Sequence, residues 1–408
     1  MAVQEIELKP KSLVKLRRLA LQAQGLTRPQ SFGRGLGAAE KAIQHLGYVQ
    51  IDTISVVERA HHHVLRSRVP NYQPDMLERL LQAGSVFEYW AHAAAFLPIS
   101  DYRFSLPYKE AIKSGKRHWY KNPDYKLMKQ LMKRIDQEGA LRSRDIEEDG
   151  KSPGGWWEWK PAKRALQQLY FQGDLMVSAR QGFQKTYDLP ERVLPKGTNT
   201  HRPAATEHAN HILDQQLDCH GFVSLKGVTY QRRDSELRTA TKTEVDRRLK
   251  SGELVWLRIP NCAAYLARPE LLDASSPRLP KKLHILSPFD NTVIQRERLT
   301  DLFNFDYQIE CYVPEPKRQF GYFCLPLLYQ DRFVGRMDCK VHRKDKHLEV
   351  RALHLDMKDE DHDVLFSALV AAIGNFMSFQ GATRVSLTKT TPQALHKTVN
   401  RHLNNQNN

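Results

Sequence analysis

A carboxylate and an amide stand two residues apart in the run Tyr48-Val49-Gln50-Ile51-Asp52. Residues two apart on a strand share a face. The alternation therefore predicts Gln50 and Asp52 on one side, with Val49 and Ile51 packed on the other. Such a pair suits hydrolysis at a carbon that gains positive charge. As an N-glycosidic bond breaks, the sugar takes on oxocarbenium character. A carboxylate stabilises that charge and can orient or deprotonate the attacking water. An amide holds the same water by donating and accepting hydrogen bonds. The competing reading makes Asp52 the cap of a following helix and Gln50 a surface residue. Aspartate is a good cap, and spacing alone favours that reading.

Other runs carry less chemistry. His61-His62-His63 is conspicuous, but adjacent residues cannot all aim at one metal from a helix. A DNA-facing or structural role is expected instead. Gly33-Arg34-Gly35-Leu36-Gly37 does not follow a strand, and its glycine spacing is wrong for a dinucleotide loop. It reads as a connector before a helix. The five cysteines are Cys219, Cys262, Cys311, Cys324 and Cys339. Their odd number and the lack of any C-x-x-C spacing argue against a disulfide framework or a structural zinc site. They are expected to be reduced thiols packed as small hydrophobes.

The 408 residues carry a formal charge of +16, with an isoelectric point near 9.5. A surplus of this size points to a polyanionic partner, with nucleic acid ahead of an anionic membrane surface because no basic amphipathic helix is evident. No apolar run reads as long enough to span a bilayer, and Met1 to Pro10 lacks the apolar core of a signal peptide. The expected location is cytoplasmic and nucleoid-associated.

The elements that position Gln50 and Asp52 belong to a pattern read three times. An amphipathic helix comes first, marked by Ala39, Ala42, Ile43 and Leu46, then Leu127, Leu131 and Ile135, then Ala209, Ile212, Leu213 and Leu217. Each runs into a glycine (Gly47, Gly139, Gly221), the usual helix stop. A short strand-like stretch follows, then a helix ending at Gly84, Gly173 or Gly252, then a hairpin. This is the winged-helix order, a helix-turn-helix variant. In the second copy, Lys160, Lys163 and Arg164 could neutralise phosphates, while Gln167 and Gln168 could reach base edges. Strand-like stretches recur after Lys281, at Tyr307 to Val313, Gly321 to Tyr329, Arg332 to Val341 and His347 to Leu355, before an apolar helix over Asp363 to Phe379. The tail from Asn400 reads as frayed.

The expected fold is α+β: three tandem winged-helix units, then a small β-rich, barrel-like domain with a C-terminal helix. The segments are 1–110 (an N-terminal helix and the first unit, with the catalytic motif), 111–200, 201–280 and 281–408. Only the first copy pairs an amide with a carboxylate. The matching positions elsewhere are Arg142 and Arg144, then Ser224 and Lys226. An acid on the DNA side of a basic protein weakens binding, so it needs another reason to be there.

At this strand and again near the C-terminus the sequence resembles the bacterial winged-helix DNA glycosylases of the AlkZ and YcaQ type, the YcaQ branch above all. Its landmarks are Gly47 to Asp52, Arg59-Ala60-His61 with Arg66, and Ala91 to Pro98. Others are Leu286-Ser287-Pro288-Phe289-Asp290-Asn291, and Asp306 to Gly321 leading to Val334-Gly335-Arg336-Met337-Asp338. The resemblance implies a C-shaped protein that hydrolyses the N-glycosidic bond of N7-alkylated guanine in double-stranded DNA. Bulky adducts and interstrand crosslinks, which it would unhook, are included. It implies a catalytic Gln-apolar-Asp motif, here Gln50-Ile51-Asp52, no metal and no organic cofactor, and no deep pocket for a flipped base. Arg59, His61 and Arg66 become candidate phosphate contacts, with helix packing or surface exposure at least equal alternatives for each. His92, in the wing of the first unit, becomes a candidate minor-groove contact, with a structural hydrogen bond the favoured alternative. A monofunctional, monomeric enzyme is expected. The main alternative is a tandem winged-helix transcription regulator without catalysis, since fold does not give function. A glycosylase that also cuts the backbone through a lysine Schiff base is a further one.

Overall fold

The computed structural model describes residues 4–9, 11–148, 159–356 and 362–404. The fold is mixed α and β, in two compact units: Met1–Tyr72 with Ala209–Asn408, and Gln73–His208. These units follow compactness, whereas the four segments drawn from the sequence follow local element order. One division does not decide the other.

The order helix, short strand, helix, helix, hairpin occurs three times along the chain. The first copy runs through Gly35–Leu46, Val49–Gln50, Ala60–Arg68, Pro74–Gln82 and the hairpin Val86–Trp90/Ala94–Pro98. The second runs through Tyr125–Glu138, Leu141–Arg142, Asp145–Glu148, Trp159–Phe171 and Met176–Gln181/Gln184–Asp188. The third runs through Ala205–His220, Phe222–Val223, Leu225–Val228, Ser235–Ser251 and Val255–Arg258/Ala264–Ala267. The six glycines that follow the first and third helices all take positive φ, between 69° and 93°. The third helix of the last copy begins at Ser235 because the Asp234 carboxylate caps it, accepting from the Leu237 N–H at 2.8 Å.

In the larger unit, a six-stranded sheet follows the third copy. Leu283–Ile285, Cys324–Tyr329, Arg332–His342 and His347–Leu355 pair antiparallel in that order. The helix His362–Gln380 then crosses over so that Arg384–Leu387 adds parallel to His347–Leu355. At Gly335 (φ 156°) a Cβ would stand 2.0 Å from the His354 carbonyl oxygen, so only glycine fits this close strand approach. The crossover helix, read in the sequence as the apolar helix over Asp363 to Phe379, is long and apolar enough to cross a membrane by length and composition, where no run was expected to be. Its Leu365, Phe366, Leu369, Ile373, Phe376 and Met377 pack into the core beneath this sheet.

Three other expectations change. Tyr307 to Val313 is an irregular loop, not a strand. Glu310 uses both carboxylate oxygens on the backbone N–H groups of Gln319, Phe320 and Gly321, which folds the run back on itself. The tail from Asn400 is not frayed as far as Asn404, where a helix His396–Asn404 buries Val399 and Leu403 one turn apart. Glu5–Glu7 is an unforeseen strand, pairing parallel with Val255–Arg258.

In the smaller unit, Trp119 stacks on Phe171 at 3.6 Å between centroids, and the Tyr89 hydroxyl donates to the Phe171 carbonyl at 2.6 Å. Glu88 is buried there between Arg180 and Lys185, at 2.7 and 2.6 Å.

Candidate active site

The catalytic candidates sit where a very short strand gives way to a loop. The strand covers only Val49–Gln50, so the alternation that would set Asp52 on the face of Gln50 is not carried by strand structure as far as Asp52. Val49 is fully buried, Gln50 is 8% exposed and Asp52 is half-buried. Asp52 caps no helix. Its Oδ1 accepts from the Ile54 N–H at 2.7 Å, while the next helix begins only at Ala60 with no side-chain cap. The carboxylate is thus oriented by its own turn. Burial lifts its pKa above the ordinary aspartate value, and the backbone N–H groups of Ile54 and Thr53 offset only part of that rise.

Distant parts of the chain hold this loop. The Val341 N–H donates to the Val56 carbonyl at 2.7 Å. Arg343 donates to the carbonyls of Ser55 and Val57, at 2.8 and 3.0 Å. The Gln380 side chain accepts from the Glu58 N–H at 2.7 Å. Upstream, the Asn291 amide donates to the Tyr48 carbonyl at 3.2 Å, bracing the backbone two residues before Gln50.

The landmark Leu286 to Asn291 is therefore structural support. Its Asp290 is fully buried and forms a bidentate pair with Arg68, at 2.7 and 2.8 Å. Burial pushes the Asp290 pKa up, but the Arg68 guanidinium outweighs it and holds the carboxyl below its usual range. Arg68 also donates to the carbonyl and side-chain oxygens of Gln24, both at 2.9 Å.

The loop Gln308 to Val313 brings two further groups within electrostatic range of Asp52. Burial first, and the Asp52 charge second, raise the Cys311 thiol pKa. The Tyr312 phenol is raised by burial, then by Cys311 and Asp52. Yet Tyr312 is 80% exposed, the most exposed large hydrophobic residue among those described. In the sequence Asp306 to Gly321 is a landmark in which Cys311 reads only as a packed thiol and Tyr312 has no role. The only signal was an aromatic next to a cysteine inside that run.

The remaining candidates are spread over both units. In the larger one Arg59 is half-buried at the start of the Ala60–Arg68 helix, and His61 is buried at 5% exposure. Arg66 is half-buried, with its guanidinium 5.8 Å from the Phe379 ring centre. The histidine run diverges: His62 bonds the Tyr72 hydroxyl at 2.8 Å, and His63 bonds the Ile285 carbonyl at 2.9 Å. Among the described residues no cluster of three or more His, Cys, Asp or Glu could hold a metal ion. In the smaller unit His92 is half-buried in a hairpin turn, Lys163 is half-buried and Arg164 is exposed, 4.8 Å from the Tyr120 ring centre. The side chain of Lys160 lies outside the described residues. Gln168 is buried, and Gln167 accepts from the Tyr120 hydroxyl, so neither is an open base reader.

A family model described as DNA glycosylase AlkZ-like matches residues 43–379, the stretch that holds Gln50, Asp52 and nearly every support just described. The chain belongs to the AlkZ-like DNA glycosylase family and is a DNA glycosylase in class. Its fold is similar to that of the Streptomyces sahachiroi DNA glycosylase AlkZ, with a TM-score of 0.59 at 15% identity over 92% of this chain and 98% of that one.

Proposed function

We propose that this DNA glycosylase releases N7-alkylated guanine from double-stranded DNA, bulky adducts and interstrand crosslinks included. Asp52 is the carboxylate at the reacting sugar. The observation that carries this reading is a half-buried carboxylate with one oxygen fixed by the Ile54 N–H, two residues along the chain from a nearly buried amide, in a chain of charge +16. An acid in that setting opposes DNA binding and suits developing positive charge.

Alkylation at N7 already makes the guanine cationic. The bond from N9 to C1′ breaks, the electron pair leaves with the base, and the base departs neutral without needing a strong general acid. Asp52 stabilises the oxocarbenium ion left on the sugar. It then takes a proton from the water that attacks C1′, and Gln50 orients that water. The products are free alkylguanine and an abasic site. The thrice-repeated helix and hairpin order supports reading each copy as a winged helix. Arg59, His61, Arg66, His92, Lys160, Lys163 and Arg164 are the proposed DNA contacts. The enzyme is monofunctional and monomeric, uses no cofactor and acts in the cytoplasm on the nucleoid.

The test is release of free base from duplexes carrying N7-methylguanine or a guanine crosslink. Release by the wild type, with loss in Asp52→Asn at unchanged or slightly higher DNA affinity, supports the assignment. Full activity in Asp52→Asn would sink it.

A further inference from the structure

A cavity of about 250 Å³ opens in the larger unit, between the residues following Leu26, the end of the Ala60–Arg68 helix, the strand Leu283–Ile285 and the crossover helix. Its wall carries Arg66, and Lys282 and Arg28 are exposed at its margin. Phe376, Phe379 and Asn375 complete one side. No carboxylate is among its lining residues.

Several of the other polar lining groups are committed elsewhere or uncharged. Arg68 is committed to Asp290. His63 bonds the Ile285 carbonyl, and burial pushes its pKa down to about 4, so it is neutral at pH 7. His284 is likewise neutral, pushed down to about 3 by burial and then by Lys282. The Ser67 hydroxyl donates to the His63 carbonyl at 3.0 Å.

What remains is a pair of cations whose charge is unfavourable where it stands. Burial lowers the Arg66 pKa. Burial and then the Arg66 charge lower that of Lys282. Two cations in mutual electrostatic range at one concave site, half-buried Arg66 and exposed Lys282, with no acid lining it, favour the arrival of an anion. A flat guanidinium fork beside an ammonium point charge matches the tetrahedral oxygens of a phosphoryl group.

We infer that this cavity is a phosphoryl-anion site, in which Arg66 and Lys282 bind the oxygens and Arg28 closes the rim. The phosphoryl group belongs either to the DNA backbone or to a free nucleotide. The first source rests on the DNA-binding reading above, and the second does not.

The full-length protein is tested with two probes. One is a duplex containing a stable abasic analogue, titrated by fluorescence anisotropy across a range of KCl concentrations. The other is dGMP alongside inorganic phosphate, by calorimetry. The variants are Arg66→Gln with Lys282→Gln, and Arg66→Lys, which keeps the charge. If backbone phosphate is the ligand, the double variant loses about 1.8 from the slope of log affinity against log salt, roughly 0.9 per cation, and Arg66→Lys keeps most of the slope. If a free nucleotide is the ligand, the wild type gives dGMP or phosphate binding heat that the double variant lacks, with the salt slope unchanged. An unchanged slope together with no anion binding by the folded wild type overturns the inference. Base release is measured separately on the same wild-type protein. A wild type that releases no base, while the double variant still loses its slope, fails the reaction proposed above and leaves this site standing.

Discussion

Asp290→Asn removes one half of an ion pair whose two side chains are both 0% exposed. The asparagine can still accept from the Thr292 N–H, a bond now made at 2.9 Å, and the packing volume barely changes. Arg68 keeps its bonds to Gln24 but loses its counter-charge in a place water does not reach. Breaking a buried pair from one side costs about 3–5 kcal/mol. For a unit of this size that corresponds to a fall in Tm of about 6–20 °C. Replacing Arg68 as well, Arg68→Met with Asp290→Asn, leaves no buried charge and keeps the bond from the Thr292 N–H. The remaining cost is the stranded Gln24 carbonyl oxygen, about 1–3 kcal/mol, because Gln24 Oε1 still accepts from the Thr292 hydroxyl. The double variant should therefore be more stable than Asp290→Asn. Thermal and urea unfolding followed by circular dichroism give the comparison. A double variant less stable than the single one would mean that the bonds of Arg68 to Gln24 outweigh its unpaired buried charge, and would refute the reasoning. The pH dependence has a defined sign. The folded Asp290 pKa is below its unfolded value near 3.9, so the pair's contribution is present above about pH 4 and is lost as pH falls through the folded value.

Three other outcomes are expected. Because burial raises the Asp52 pKa, base release should fall with acidification at a pH above the ordinary aspartate value, and a limb at or below about pH 4 would contradict the half-buried carboxylate. Lys109, buried over the Tyr102 ring at 3.9 Å, has its pKa brought down by burial to about 7, so the unfolded chain binds more protons between roughly pH 7 and 10 and stability should rise across that window; Lys109→Met should abolish the rise and stabilise the protein at pH 7 by about 1–4 kcal/mol, as unfolding midpoints would reveal. Asn291→Leu removes the donor to the Tyr48 carbonyl and should lower kcat more than DNA affinity, which single-turnover base release and anisotropy can separate; a loss confined to affinity would place the effect elsewhere.

Much of the architecture was written locally. Glycines ending helices, and alternation in Arg332–His342 and His347–Leu355, announced themselves because each depends on its own few neighbours. Tyr307 to Val313 misled for the complementary reason. Its apolar alternation imitates a strand, but the carboxylate of Glu310 captures backbone groups about ten residues away. Glu5–Glu7 was invisible because its partner strand lies some 250 residues on. The candidate site divides the same way. Gln50 and Asp52 could be singled out by residue type. Val341, Arg343 and Gln380, which hold the following loop at residues 55–58, touch it through generic hydrogen bonds with no mark in the sequence, whereas Asn291 stands out only as part of a landmark run.

The stapling of the Asp52 loop to Val341, Arg343 and Gln380 also has a meaning in time. On the ribosome, the motif emerges well before its supports: Arg343 lies 288 residues beyond Ser55, and Gln380 lies 322 beyond Glu58. A nascent chain that has displayed Gln50 and Asp52 but not yet Gln380 carries the reactive groups without the frame that aims them. Under the reading of Asp52 as the working carboxylate, the enzyme stays silent until Gln380 has emerged and folded onto the loop. A truncated product would then be a defective binder of damaged DNA, not an unruly glycosylase.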